Sequence, residues 1–317
     1  MIWSVTTAWS DVVNVSRDVV QPAYADLAAT MAVLNLAAQA DCSAGALQKA
    51  YQTAWDSWAG IDYFRLGPVE ENGRALAMAF WPDPKSSGQR TQQGLVKGNS
   101  DVISNPDAFA KLSVAARGLS GLERLIYEPM INGDEDVLCL LRQATTADLA
   151  RMTGEIRDEW PRFSEILLSA GEPGNTMYLT GDEARQAIYT QLITGLEHIA
   201  DTRLGRPLGD KGKPRPELAE SRASDRSLRN VALSLHALRR YALALYPDAE
   251  KTGDALVRAI TMAEKLDDPV FAGAADPRGR EKIMVLQYAV QDAKLAAEAE
   301  IGQALGIGVG FNSRDGD

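Results

Sequence analysis

Residues 132–163 read NGDEDVLCLLRQATTADLARMTGEIRDEWPRF. After the polar turn Asn132-Gly133-Asp134, the stripe Leu138, Leu141, Thr145, Leu149, Met152, Ile156, Trp160 and Phe163 recurs in steps of three and four. That spacing puts the stripe on one face of a long helix. The same period runs outward in both directions. Upstream it picks out Val12, Val15, Val19, Ala23, Leu27, Thr30, Leu34 and Ala38, then Leu47, Ala50, Ala54, Trp58 and Ile61 after Ser43. Downstream it picks out Ile188, Leu192, Leu196 and Ile199, then Leu228, Val231, Leu235 and Leu238, and last Ile283, Leu286, Val290, Ala293, Ala297 and Ile301. Pro22 is expected to kink or interrupt the first run, because it lacks a donor and crowds the preceding turn. Period-two runs of β-branched residues are sparse. Abundant alanine suits close helix packing, so the expected fold is all-α, made of helical bundles.

The 317 residues contain 45% hydrophobic and 24% charged side chains, enough apolar material to exclude wholesale disorder. No apolar stretch approaches the ~20 residues of a spanning helix. The formal charge of −10 argues against nucleic acid, whose binding needs a basic surface. The opening Met1-Ile2-Trp3-Ser4 is not a signal peptide; the chain is then either cytosolic or an exported protein shorn of its leader.

Three Gly/Pro-rich stretches interrupt the helices. Residues 65–106 form an irregular insert, with Gly67-Pro68, Trp81-Pro82-Asp83-Pro84 and Asn105-Pro106. Ala170-Gly171-Glu172-Pro173-Gly174-Asn175 marks a domain boundary, giving a helical domain over 1–170 and a second helical bundle over 171–317. Leu204 to Arg226 is the third, and its Lys211, Lys213 and Arg215 read as a solvated loop. Gly121-Leu122-Glu123-Arg124-Leu125 and Gly195-Leu196-Glu197-His198-Ile199 echo one another, as two pseudo-symmetric halves would.

Few residues are equipped for metal or nucleophilic chemistry. There are two cysteines, Cys42 and Cys139, and two histidines, His198 and His236, with no CxxC, HxxxH or HExxH spacing. The cysteines are one disulfide or two buried thiols. Gly306-Ile307-Gly308-Val309-Gly310 follows a helix rather than a strand, which excludes a dinucleotide loop. Pro214 after Gly212-Lys213 excludes a phosphate loop, and no Gly-x-Ser-x-Gly elbow exists. Trp55 and Trp58 read as core, and His198 with Asp201 as a surface or capping pair.

The segment Arg117-Gly118-Leu119-Ser120-Gly121-Leu122-Glu123-Arg124-Leu125-Ile126-Tyr127 is different. On a helix Ser120 and Glu123 share a face. Glycines at 118 and 121 are costly there and imply close approach by another backbone. Glu123 beside an apolar stripe is either a paired core acid or a ligand in a cleft.

This segment resembles the Gly-x-His-x-x-Glu motif of the imelysin family, with Ser120 where the histidine stands. The resemblance extends through Trp58-Ala-Gly-Ile61, Gly67-Pro68, Arg74 and Phe80-Trp81-Pro82-Asp83 in the first half. In the second half it takes in Ile199-Ala-Asp201, Arg206-Pro207-Leu208-Gly209, Ser224-Asp-Arg226-Ser227-Leu228 and the terminal Gly310 to Asp317. It implies a periplasmic or lipid-anchored bacterial protein of two related helical bundles, associated with iron uptake, in a family whose founding member was described as a metallopeptidase. It places Gly118, Ser120 and Glu123 at a site near the domain junction, with Trp81, Asp83, Arg226 and Ser227 as neighbours. Export also favours pairing Cys42 with Cys139.

A hydroxyl is a poorer ligand for iron or zinc than an imidazole, and Glu123 alone cannot hold a catalytic metal. The expected function is therefore non-enzymatic: uptake of iron or another divalent metal through a ligand or an uptake partner of the periplasm or outer membrane, bound in a cleft near Glu123. A metal-dependent peptidase using Glu123 and a helical scaffold for a partner protein are the alternatives.

Overall fold

A computed structural model describes residues 10–98, 101–127, 131–210 and 212–307. The Gly310 to Asp317 motif, most of the preceding glycine run, Lys211 and Met1 to Ser4 lie outside the described residues. Among the described residues there is no strand, only an isolated bridge between Asp210 and Lys213. Among the described residues no helix is long and apolar enough to cross a membrane.

Two helices set the frame, α1 (Gln21–Ala40) and the 34-residue α5 (Glu135–Leu168). Asp134 opens α5 by accepting the Asp136 N–H at 2.9 Å, and Glu135 and Asp136 add negative charge where the helix dipole favours it. The two helices run antiparallel, as their cross-contacts show. Ser16 meets Ser164 at 2.6 Å, Tyr24 packs edge-on against Trp160 at 5.4 Å, and Gln143 Nε2 donates to the Ala38 carbonyl at 3.1 Å. Cys42 and Cys139 close the far end as a disulfide, their Cα atoms 5.2 Å apart.

Pro22 does not break its run. A π-helical segment, Asn14–Val20, passes directly into α1, and the winding changes just before Pro22. Pro22 then occupies the first turn of α1, where no intrahelical N–H is needed.

Between these helices lie α2 (Ala44–Ala59), α3 (Ser87–Lys97) and α4 (Gly118–Ile126). The region expected to be irregular is a series of short 3₁₀ and α turns leading to α3. After residues 169–180 come α6 (Gly181–Glu197), α7 (Ser227–Leu245), α8 (Glu250–Lys265) and α9 (Pro277–Ala297). Helix α8 is absent from the periodicity reading. Its buried face, Ala255, Leu256, Ala259, Ile260 and Ala263, keeps helical spacing opposite charged residues, but three of its five members are alanine rather than large apolar side chains. It also lacks a side-chain cap of its own. Glu300, beyond the end of α9, accepts the Lys251 and Thr252 N–H groups at 3.1 and 2.7 Å instead.

Helices from both sides of residue 170 pack together. Helix α7 lies against α2 and against the Asn14–Val20 segment. Trp55 and Trp58 of α2 are core, as expected.

Candidate functional site

Helix α4 starts where only glycine fits. Gly118 has φ +70°, and a Cβ there would come within 1.8 Å of the Ala77 carbonyl oxygen. Gly121, one turn on, would meet the Ala116 carbonyl at 2.8 Å. Both glycines let other backbone segments approach, as the sequence implied. This close seating fixes the rotation of α4 and aims Glu123 inward.

Glu123 is buried, only 8% exposed. Its Oε1 accepts the backbone N–H of Ser224 at 2.9 Å and the Ser224 hydroxyl at 2.5 Å. The carboxylate is thus paired across the chain with Ser224. Ser224 lies in an irregular segment ahead of α7 in which Ser221 and Asp225 both adopt positive φ, 49° and 56°. Left-handed backbone at non-glycine residues is strained and persists only where neighbours hold it.

The seam continues along α2. Gln52 Nε2 donates to the Ser224 carbonyl at 3.1 Å and to the Tyr127 hydroxyl at 2.9 Å, while its Oε1 accepts from Arg226. Arg226 is fully buried, stacks over Trp55 at 5.7 Å and donates to Asp56 at 2.6 Å, which also binds Arg229. Burial works to raise the Asp56 carboxyl, but hydrogen bonds from Arg229 and Arg226 prevail and hold it below its ordinary value. The Tyr51 phenol is driven well up by burial and then by the Glu123 charge, so it stays a neutral donor. It donates to the Leu119 carbonyl at 3.4 Å and accepts from Trp55 at 2.7 Å. Ser227 donates to the Glu220 carbonyl at 2.6 Å. Beside Asp56 a cleft of about 530 Å³ opens between α1, α2 and α7.

A second buried cluster adjoins the first. Arg203 binds Asp62, Glu220 at 2.8 Å and the Ser234 hydroxyl at 2.7 Å. Burial raises the Asp62 carboxyl; Glu220 is held low, Arg203 and His198 outweighing the burial that works against it. His198 is half-buried, and burial followed by the Arg203 charge lowers its pKa to about 4.

The structure therefore brings together Gly118, Glu123, Arg226 and Ser227 through Ser224. Ser120 lies on α4, half-buried, one turn before Glu123. Trp81 and Asp83 are engaged elsewhere. Trp81 lies under the Arg206 guanidinium at 5.6 Å, and Asp83 accepts from Ser87 N and Oγ and Gly88 N at the start of α3. Tyr51, Gln52 and Asp56 are additional members of the seam that no sequence motif marked.

Residues 20–297 match the imelysin family. The chain belongs to the imelysin family. It is 24% identical over 302 residues to iron-regulated protein A of Synechococcus elongatus, spanning 86% of this chain and 80% of that protein. Its fold matches an imelysin-like protein from Psychrobacter arcticum 273-4, with a TM-score of 0.79 at 18% identity over 96% of this chain and 98% of that one. It also matches a structure from Parabacteroides distasonis ATCC 8503 described as an iron-regulated protein A precursor, with a TM-score of 0.73 at 14% identity over 95% of each chain.

The described residues around Glu123 do not form the ligand set that a peptidase metal requires. Among the described residues no three of His, Cys, Asp and Glu gather as a ligand set. Ser120 stands where the family motif supplies imidazole, and Glu123 spends its oxygen on Ser224. Three or four converging N, S or O ligands are what such a site requires.

Proposed function

We propose that this imelysin serves iron acquisition by binding an iron-bearing ligand or an uptake partner at the junction around Glu123, and that it does not hydrolyse peptides. One observation carries the reading: a buried carboxylate on α4 holds a strained segment on the far side of residue 170. Strained backbone latched by a charged group is characteristic of binding sites, where the strain is held ready. The kinship with iron-regulated protein A supports the iron context, and the Cys42–Cys139 disulfide supports an oxidising compartment such as the periplasm.

The test is calorimetric titration of the full chain with Fe²⁺, with ferric citrate and with Zn²⁺, beside a peptide-cleavage assay with and without chelator. The proposal expects binding of an iron probe that Glu123→Gln weakens by about tenfold or more, equivalent to about 1.4 kcal/mol. It expects no chelator-sensitive cleavage. Stoichiometric zinc binding with chelator-sensitive cleavage would overturn it in favour of a peptidase. Absence of binding by either iron probe would overturn it as well. Ser120→His provides a control. It restores the motif's imidazole one turn from Glu123, and a gain of zinc affinity in that variant alone would tie the missing metal chemistry to position 120.

A further inference from the structure

The chain contains two Asn-Gly pairs, Asn72-Gly73 and Asn132-Gly133. As sequence they are alike: glycine puts no side chain between its own nitrogen and the amide of the asparagine before it. In the structure they differ. Asn72 is left-handed, with φ 54° and ψ 22°, and Gly73 follows it with φ 67°. Both lie in the 3₁₀ turn Glu71–Gly73, which the Arg74 N–H closes by donating to the Glu71 carbonyl across the Asn72-Gly73 peptide. Arg74 itself is buried and donates to Glu155, to Glu159 and to the Pro68 carbonyl. That peptide is held on both sides.

Asn132-Gly133 is held by far less. Both residues are exposed, in the irregular stretch just ahead of Asp134, the cap of α5. Among the described residues neither the Asn132 side-chain amide nor the Gly133 N–H has a hydrogen-bond partner. The Asn132 backbone is gripped by one side chain, Gln93 of α3. Its Oε1 accepts the Asn132 N–H at 3.0 Å, and its Nε2 donates to the Asn132 carbonyl at 2.7 Å. Packing demands the glycine, since a Cβ at 133 would come within 2.1 Å of Val96 Cγ1.

We propose that Asn132 is a modification site, converted without an enzyme to a mixture of aspartyl and isoaspartyl residues. The deprotonated Gly133 nitrogen attacks Asn132 Cγ and forms the C–N bond of a cyclic imide. The side-chain amide nitrogen takes up protons and leaves as ammonia, the route that makes asparagine thermolabile. Water then opens the ring. Attack at Cγ leaves an ordinary aspartate, whereas attack at the α-carbonyl routes the main chain through Cβ and Cγ and leaves the α-carboxylate as the side group. Each route consumes one water and releases one ammonia, with no oxidant or reductant. Both products add a negative charge ahead of α5, beside Asp134, Glu135 and Asp136. The isoaspartyl product also lengthens the main chain by one methylene and displaces the carbonyl that Gln93 grips, which loosens α3 from the start of α5.

Peptide mapping by mass spectrometry reads each site in the full chain, aged at neutral pH beside a synthetic peptide of residues 131–136. Asn132 is expected to convert within about tenfold of the rate in the peptide, the slowing set by the Gln93 grip. Asn72 in the same sample should convert at least about tenfold more slowly than Asn132. Gln93→Ala should speed conversion at Asn132 by about threefold or more and leave Asn72 as it was. An Asn132 still intact when the peptide has fully converted, equal rates at the two asparagines, or indifference of Asn132 to Gln93→Ala would each overturn the inference.

Discussion

Glu123 receives both the backbone N–H and the hydroxyl of Ser224, a residue 101 positions further along the chain. The bond is charge-assisted and buried, and such bonds contribute about 1.5–3 kcal/mol each. Ser224→Ala removes the hydroxyl and leaves the backbone donor. Urea denaturation should show a loss of about 2 kcal/mol, and an unchanged midpoint would refute the latch.

Gly118 and Gly94 make a matched pair. Alanine at 118 has to adopt φ +70° and place its Cβ inside the radius of the Ala77 oxygen. Gly118→Ala should cost more than about 3 kcal/mol or prevent folding. Gly94, within α3, has nothing near its missing Cβ. Gly94→Ala should stabilise by about 0.5–1 kcal/mol. Equal effects from the two changes would contradict the close seating of α4.

His198 sets a pH dependence. Its folded pKa, about 4, lies below the ordinary 6.5, so the folded state resists the proton that the unfolded chain accepts. Stability is fully present above pH 6.5 and is lost as pH falls toward 4. Between pH 7.5 and 5 the loss from this residue is about 2 kcal/mol. His198→Gln should flatten denaturation midpoints over that range. A variant with the wild-type slope would show that His198 is not responsible.

The disulfide joins residues 97 positions apart. Closing a loop of that length removes entropy from the unfolded chain worth about 4–5 kcal/mol. Replacing both Cys42 and Cys139 by serine should lower stability by about that amount without changing the helical signal. A loss below about 1 kcal/mol would mean that the α1 and α5 ends are already fixed by packing.

The long helices were legible because their stripes are strongly apolar. Leu138 to Phe163 is built of large apolar side chains, whereas three of the five buried apolar positions of α8 are alanine, and that helix takes its cap from Glu300 rather than from its own leading residues. At the site, the glycines of α4 announced a close approach, and the Gly-x-x-x-x-Glu spacing of 118 to 123 drew attention to the acid. Gln52 gave no such sign. Its partners Ser224 and Arg226 lie 172 and 174 residues away, and no local pattern encodes a hydrogen bond that tertiary packing alone creates.

The segment from Ser221 to Asp225 has the character of a spring with a catch. Two left-handed residues raise its energy by about 1–3 kcal/mol each, and the Glu123 carboxylate and Gln52 amide hold it wound. Removing the Glu123 carboxylate lifts the catch, because the recoil is already stored in the backbone. Release would appear as faster amide exchange at Ser224 and its neighbours in Glu123→Gln, with the long helices still protected.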